Sequence, residues 1–361
     1  MKQHRQHSTS YQAGFSLVEI LVGLVIGLLA TLVIMQVFSV FEGQKRTTTG
    51  SADAQTNGGI ALYTLARDMQ MAGYGLLPAP DSAIKCAAPA LFPTATAFVS
   101  SLSPVTITDG GVAAGASDSI IIRYGTSAAA GSTMLISQVD PNNDAHVENN
   151  LGCETGIAVI LTGATTCNVT TVGALNGTTI VTLGDAGSAA GGNSLACMGQ
   201  WRQITYRANA GNLERNVFPN AATPAVADIV NIQAQYGISN VASSNQVVQW
   251  VDATGGTWAV PNIADRNRIK AVRIAVVARN GLLEKDIVTS ACSSTTLASP
   301  TGLCSWDATS ALPKPLVAPF VASPAPAIDL SNDPDWQRYR YRVFETIIPL
   351  RNVIWSKDTL I

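Results

Sequence analysis

"GFSLVEILVGLVIGLLATLVIMQVFSVF" occupies Gly14–Phe41, and its reading decides the fold. From Ile20 to Met35 only Thr31 is polar. Counted from Phe15, the stretch is long enough to cross a hydrocarbon layer of about 30 Å as a helix. One residue does not belong in oil: Glu19. A carboxylate at the centre of a membrane helix costs roughly 2.5–3.5 kcal/mol, and less towards the headgroups, where Glu19 lies near the helix end. Either it is tolerated at headgroup depth or it has a cationic partner. The preceding "MKQHRQHSTSYQAG" carries Lys2 and Arg5 and no acid. In a secretory signal the apolar core precedes the cleavage site. Here the candidate site, Gly14–Phe15, comes first, so processing would leave the helix on the mature chain. Basic leader residues place the N-terminus in the cytoplasm and the rest of the chain outside it. Cleavage would also give Phe15 a free α-amine, and the amine of another subunit would neutralise Glu19 as protomers stack.

Working outward, Leu62, Leu65, Met69, Ala72 and Leu76 fall at helical spacing and form one apolar stripe. "AGYGLLPAP" then ends the helix, with Gly73 and Gly75 as C-cap candidates and Pro78 beyond. A helix from Phe15 to about Leu77 would be roughly 90 Å long. After Pro80 short apolar runs alternate with Gly, Ser, Thr and Asn. Ser119–Tyr124, Thr133–Val139, Ile157–Thr162, Thr178–Leu183, Arg202–Ala208, Arg268–Ala278 and Arg342–Leu350 read as strands. "VNIQAQY" puts Val230, Ile232, Ala234 and Tyr236 on one face and Asn231, Gln233 and Gln235 on the other. One long helix followed by many short strands predicts an α+β fold with a mostly antiparallel sheet head. Leu312–Pro334 holds too many prolines for a helix or central strand and reads as an extended surface segment.

Charged residues make up only 13% of the chain, about half the usual share, which suits a surface that packs on copies or partners. The net charge of -2 and the lack of a Lys/Arg block argue against nucleic-acid binding. Tyr339–Arg342 interleaves aromatic and basic residues, but four residues fit an arginine-blunted edge strand as well. The six cysteines include no CxxC pair, so an export context favours disulfides over zinc. Six cysteines allow fifteen pairings. Short spacing suggests Cys153 with Cys167 and Cys292 with Cys304, which leaves Cys86 with Cys197; free buried thiols are the alternative.

A catalytic histidine would have to be His146, because His4 and His7 lie in the leader. It sits in "DPNNDAHVENN" with no nucleophile elbow nearby, and a solvated loop explains it. No phosphate loop or zinc cluster is present in the sequence, so no cofactor is expected. Asp140, Asn142, Asp144, His146 and Glu148 alternate as in a calcium loop. Ala145 stands where an EF-hand needs glycine and Leu151 where it needs glutamate, so the metal set (Asp140, Asn142, Asp144, Glu148) competes with a plain polar loop.

"GFSLVE" with its apolar helix resembles the type IV prepilin signature. The resemblance implies cleavage after Gly14 by a prepilin peptidase, N-methylation of Phe15, and subunit docking through Glu19. Gln36 occupies the place of a helix-kinking proline found in many major pilins, leaving Gly43 and Gly50 as the loosening points. Leu65–Gly75, Ser117–Gly125, Ile269–Asn280 and Arg340–Asn352 resemble the PilW-type minor pilins in order and wording. That resemblance implies a type IV pilin-like fold: leader 1–14, transmembrane or filament-core helix 15–41, second helical half 42–77 and extracytoplasmic β-rich head 78–361. It implies a low-abundance subunit near the pilus tip that helps initiate the filament. Its partners would be other minor pilins, major pilin, a tip adhesin and the inner-membrane assembly platform. It would sit as a single-pass inner-membrane protein with a periplasmic head before assembly, and in the surface pilus afterwards. A J-type pseudopilin of a type II secretion system shares this architecture. A membrane-anchored extracytoplasmic enzyme is the reading from another class. The segments 76–109 and 290–334 carry none of these resemblances.

Overall fold

The computed structural model describes residues 14, 16–76, 89–90, 103–129, 131–162, 167–293, 301–306 and 327–355. Helix α1 spans Leu17–Gln70 without a break at Gln36, Gly43 or Gly50. It ends before the Leu77 that the apolar stripe predicts. Met71 and Ala72 donate to the carbonyls of Asp68 and Met69, three residues back, which tightens the last turn. Gly73 and Gly75 then adopt positive φ of 79° and 71°, and the helix cannot continue. The stripe nevertheless works as expected: Leu65, Met69, Ala72 and Leu76 are fully buried. By compactness the chain divides into 1–51 and 52–361.

The strands are β1 (Pro89–Ala90), β2 (Val105–Thr108), β3 (Ser119–Tyr124), β4 (Thr133–Val139), β5 (Asp144–Val147), β6 (Ala158–Thr162), β7 (Cys167–Asn176) and β8 (Ile180–Leu183). They continue as β9 (Ser194–Gly199), β10 (Arg202–Asn209), β11 (Asn212–Val217), β12 (Thr223–Ala227), β13 (Ile229–Ile238), β14 (Gln249–Val251), β15 (Ile269–Arg279) and β16 (Tyr341–Pro349). Two sheets enclose the C-terminal part of α1. One has the order β12-β11-β10-β3-β2, the other β14-β13-β15-β16, and all their pairings are antiparallel. Ala61, Leu65 and Met69 of α1 share one core with Ile120, Ile122, Ile204 and Tyr206 of the first sheet and Ile232, Tyr236, Val272 and Ile274 of the second. Gly58 lets the helix come close. A Cβ there would lie 2.0 Å from Cε2 of Phe344 on β16.

The alternation of β13 holds only in part. A register shift between Ile229 and Asn231 changes its phase, so Ile229 and Ile232 face the helix while Val230 joins a second cluster with Val277, Leu303 and Leu330. Asn231 and Gln235 are buried, not solvated. Residues 301–306 and 327–330 contribute to a layer on this outer face. The Cys292–Cys304 disulfide, the pair that short spacing predicts, closes one of its loops. Gln235 accepts from Nε of Arg273 at 2.8 Å, and the Arg273 guanidinium lies 4.0 Å from the Trp306 ring centroid and 5.1 Å from that of Trp250.

The third assembly was not foreseen. Strands β7-β6-β9-β4-β5-β8 form a sheet whose last strand pairs back to β7, closing six strands into a barrel. The length of β7 permits this: residues 167–171 pair with β6, and 172–176 pair with β8 across a register shift at Gly173. Ile136, Val147, Val159, Leu161, Val172, Val181 and Leu195 fill its interior. Its disulfide joins Cys153 to Cys197, correcting both the Cys153–Cys167 and the Cys86–Cys197 expectations. The physical reason is burial, not spacing. Cys153 and Cys197 are 7% and 1% exposed in this one apolar core. Cys86 and the side chain of Cys167 lie outside the described residues.

Candidate functional site

Eighteen large apolar side chains from Leu17 to Phe41 are 48–75% exposed. Fully burying each would gain roughly 1.5–3 kcal/mol, so such a surface calls for lipid or other helices. Among the described residues this is the one helix long and apolar enough to cross a membrane. The one polar side chain between Ile20 and Met35 is satisfied within the helix. The Thr31 hydroxyl donates to the carbonyl of Gly27 at 3.0 Å or to that of Leu28 at 2.9 Å. Glu19 stands in the first turn, where a carboxylate favours the positive end of the helix dipole. Its side chain is exposed, and it is the sole charged residue between Leu17 and Phe41. Its amide donates to the Ser16 carbonyl at 2.9 Å. Gly14 is exposed, and an added Cβ would meet nothing within 4 Å. Phe15 lies outside the described residues.

The polar loop near His146 is a hairpin turn between β4 and β5. The Asp140 amide donates to the Asp144 carbonyl and the Asn143 amide to that of Asp140, with Asn143 at φ 63°. Asp140 pairs with His146 Nε2 at 2.8 Å, and the Asp144 carboxylate accepts the Thr182 hydroxyl. Among the described residues no three His, Cys, Asp or Glu side chains come together as a metal site, so the calcium set Asp140, Asn142, Asp144 and Glu148 is not assembled. The carboxylates are taken up by local partners in the hairpin, Asp140 by His146 and Asp144 by Thr182.

Tyr339–Arg342 is likewise absorbed by local pairing. Arg340 bonds Glu284 at 2.9 Å, and the neighbouring Arg338 bonds Asp335 at 3.1 Å. Arg279 stacks on Tyr339 at 4.4 Å and reaches Asp333 at 3.2 Å. A cavity of about 320 Å³ beside that pair is lined by Gly211, Asn332 and Tyr341 among others, with no Ser, Cys or His in its wall.

Three buried polar groups hold the head together, and none was singled out from sequence. Asp68 of α1 accepts on Oδ2 from the Tyr206 hydroxyl at 2.7 Å and from Arg215 Nε and Nη2 at 2.9 and 2.8 Å. Burial first, then the bond to Asp68, pushes the Tyr206 hydroxyl well above its ordinary range. Asp118 accepts from the amides of Gly110 at 2.9 Å and Ala234 at 2.7 Å, tying the two sheets together. Burial raises it to about 6, against the pull of those two amides. Lys270, fully buried, donates to the Ala242 carbonyl at 2.8 Å, and burial lowers it to about 8. A charged residue inside an otherwise apolar strand or stripe was the available signal, as with Asp68 in "LARDMQ".

Residues 206–352 match the family described as Type IV Pilus-assembly protein W, and residues 9–35 match the prokaryotic N-terminal methylation motif. No curated protein matches the chain. Among solved structures, a type IV-like pilin from Thermus thermophilus is similar at 14% identity, covering 55% of this chain and 85% of its own, with a TM-score of 0.24. That score is too low to support an argument. The family matches take in the start of α1 and the segment from β10 to Asn352, and leave out the whole barrel.

Proposed function

We propose that this chain is a PilW-type minor pilin, a reading its two family matches support, cut between Gly14 and Phe15 by a prepilin peptidase and built into a type IV pilus. Residues 1–14 are the leader, 15–41 the membrane and filament-core segment, 42–77 the second helical half and 78–361 the extracytoplasmic head. Phe15 is N-methylated, and Glu19 docks the subunit on the α-amine of a neighbour. The subunit acts in a tip or initiation complex with other minor pilins and a tip adhesin, added to major pilin by the inner-membrane platform, and supports adhesion or twitching. Before assembly its head faces the periplasm; afterwards it is on the cell surface. A pilin-family head points to a structural part, not an enzyme.

One observation carries this reading. The methylation-motif match covers the start of a helix whose apolar side chains are exposed and whose sole charge as far as Phe41 is Glu19. Leaving a charge unpaired in a low-dielectric site costs about 3–5 kcal/mol, so such a charge marks a pairing site. The test uses strains carrying only a variant chain. Glu19→Ala and Glu19→Leu are expected to be cleaved normally and to be missing from sheared pili on immunoblots. Gly14→Val is expected to retain the leader by intact mass. Normal incorporation of both Glu19 variants, or a mature N-terminus other than Phe15, would overturn the reading.

A further inference from the structure

We propose that the cavity between the β10–β11 turn, the start of β16 and residues 329–333 binds a monosaccharide unit through its vicinal hydroxyls. This binding needs only the head, so it goes beyond the filament reading and does not depend on it.

The sequence builds the cavity by leaving a side chain out. β10 and β11 are joined by Ala210 and Gly211, both at positive φ, 48° and 75°. So tight a turn favours glycine, and here the glycine faces an arginine. A Cβ on Gly211 would lie 3.9 Å from Nη2 of Arg279. The space left is about 320 Å³, at the lower end of the roughly 300–1,000 Å³ of small-ligand pockets. Val230 and Leu330, both of the outer-face cluster, give it an apolar side. Arg279, Asn332, Asp333 and Tyr341 line it with polar groups.

These groups are held before any ligand arrives, which lowers the ordering cost of binding. Arg279 lies over the Tyr339 ring at 4.4 Å and donates from Nη1 to Asp333 Oδ2 at 3.2 Å. The guanidinium also bonds the Tyr341 hydroxyl, which burial pushes up to about 12, so the phenol stays neutral. The other Asp333 oxygen accepts the Asp335 amide at 3.0 Å, and the Asp333 amide donates to the Leu330 carbonyl at 3.0 Å. Asn332 rests on Gly115, where a Cβ would lie 2.5 Å from its Cγ. The Arg279 and Asp333 side chains are 26% and 36% exposed, so a molecule in the cavity reaches both.

The wall selects the ligand by its chemistry. Its two charged residues, Arg279 and Asp333, neutralise each other. An anion would meet the carboxylate, and a cation would meet the guanidinium. An apolar molecule would leave the polar groups unpaired. What fits is a neutral molecule with donors and acceptors side by side. Each sugar hydroxyl both donates and accepts, so one takes a bond from the guanidinium while its neighbour gives one to the carboxylate. A trans peptide group points its donor and acceptor in opposite directions and does not span the pair. The C–H face of the sugar lies on Val230 and Leu330.

The full-length chain is purified in an amine-oxide detergent, because maltosides and glucosides carry the very group under test. Glucose, galactose, mannose and N-acetylglucosamine are titrated and followed by saturation-transfer NMR, with inorganic phosphate and N-acetylglycine methylamide alongside. At least one sugar is expected to bind with a Kd of about 1 mM or tighter. Gly211→Asn keeps a residue that accepts positive φ and fills the space before Arg279. Asn332→Ala removes an exposed amide. Each variant, its fold checked by circular dichroism, is expected to weaken that sugar about tenfold or more. If Gly211→Asn does not fold, Asn332→Ala decides alone. No sugar bound at about 10 mM, undiminished binding by a folded variant, or tighter binding of phosphate or the amide overturns the proposal. The assay needs no filament, so its failure leaves the pilus reading standing, and failure of the pilus reading leaves this one standing.

Discussion

Arg215→Met is the most direct test of what fastens α1 to the head. In the native structure one oxygen of Asp68 receives hydrogen bonds from Tyr206 and from two nitrogens of Arg215. Methionine keeps much of the stem that packs against Tyr206 and removes the guanidinium, leaving a carboxylate whose side chain is 12% exposed with the tyrosine alone. Breaking a buried pair in this way costs about 3–5 kcal/mol. The Arg215 side chain is 31% exposed, so water takes up part of the loss and the lower bound applies, about 3 kcal/mol. Asp68→Asn/Arg215→Met leaves no buried charge, and its cost is expected to be nearer 1 kcal/mol. The double variant should therefore be more stable than Arg215→Met alone, by about 2 kcal/mol. Thermal unfolding of the full-length chain in detergent, followed by circular dichroism, reads the difference. At roughly 2 °C per kcal/mol for a head of this size, Arg215→Met should lower Tm by roughly 6 °C. A single variant as stable as the native chain, or a double variant no better than the single, would refute the reasoning.

Gly58→Ala should destabilise the head by about 1–3 kcal/mol despite the better helix propensity of alanine, because its methyl group overlaps the Phe344 ring. Adding Phe344→Leu should restore part of the loss in the same unfolding assay, and additive losses would show that the contact is not the cause. Asp118 is expected to tilt the pH profile. Its folded value of about 6 lies above the unfolded 3.8, so the folded state binds the extra proton between them. Stability from this group therefore falls as pH rises from about 4 to 6, by about 3 kcal/mol in all. Subtracting the Tm–pH profile of Asp118→Asn from that of the native chain should isolate this slope. A difference profile that is flat across the window would contradict it.

How legible a part was followed the range of its causes. Helix α1 announces itself because its determinants are local: an apolar run, a stripe at helical spacing, and glycines that end it. Strands such as Ser119–Tyr124 and Thr133–Val139 were readable to the residue, since each is a short run of apolar, strand-favouring residues set between small and polar ones. β7, β9 and β11 were not. "CNVTTVGALN", "SLACMG" and "NLERNV" carry weak periodicity, and partners far along the chain decide their state. The same holds for the cysteines. Twelve residues separate Cys292 from Cys304, and sequence distance found them. Forty-four separate Cys153 from Cys197, and only ring closure of the barrel brings them together.

The polar residues of β13 show why periodicity is incomplete where a sheet has two covered faces. Alternation identifies one face as the core and consigns the other to solvent. On β13 the other face holds Asn231 and Gln235, and both are buried because residues 301–306 contribute to the layer covering it. A buried amide is tolerable only with partners. Asn231 finds the Ala116 carbonyl at 2.7 Å, and Gln235 finds both Arg273 and Asp252. Those partners come from a loop, a neighbouring strand and a turn far apart in sequence, so no local pattern reveals them. The N-terminal site is the opposite case. In the proposed function Gly14, Phe15 and Glu19 take their meaning from a peptidase, a membrane and other subunits, all of which would read the chain as a short linear signal. That is why the proposed docking residue was visible in the sequence while the residues that hold its own head together were not.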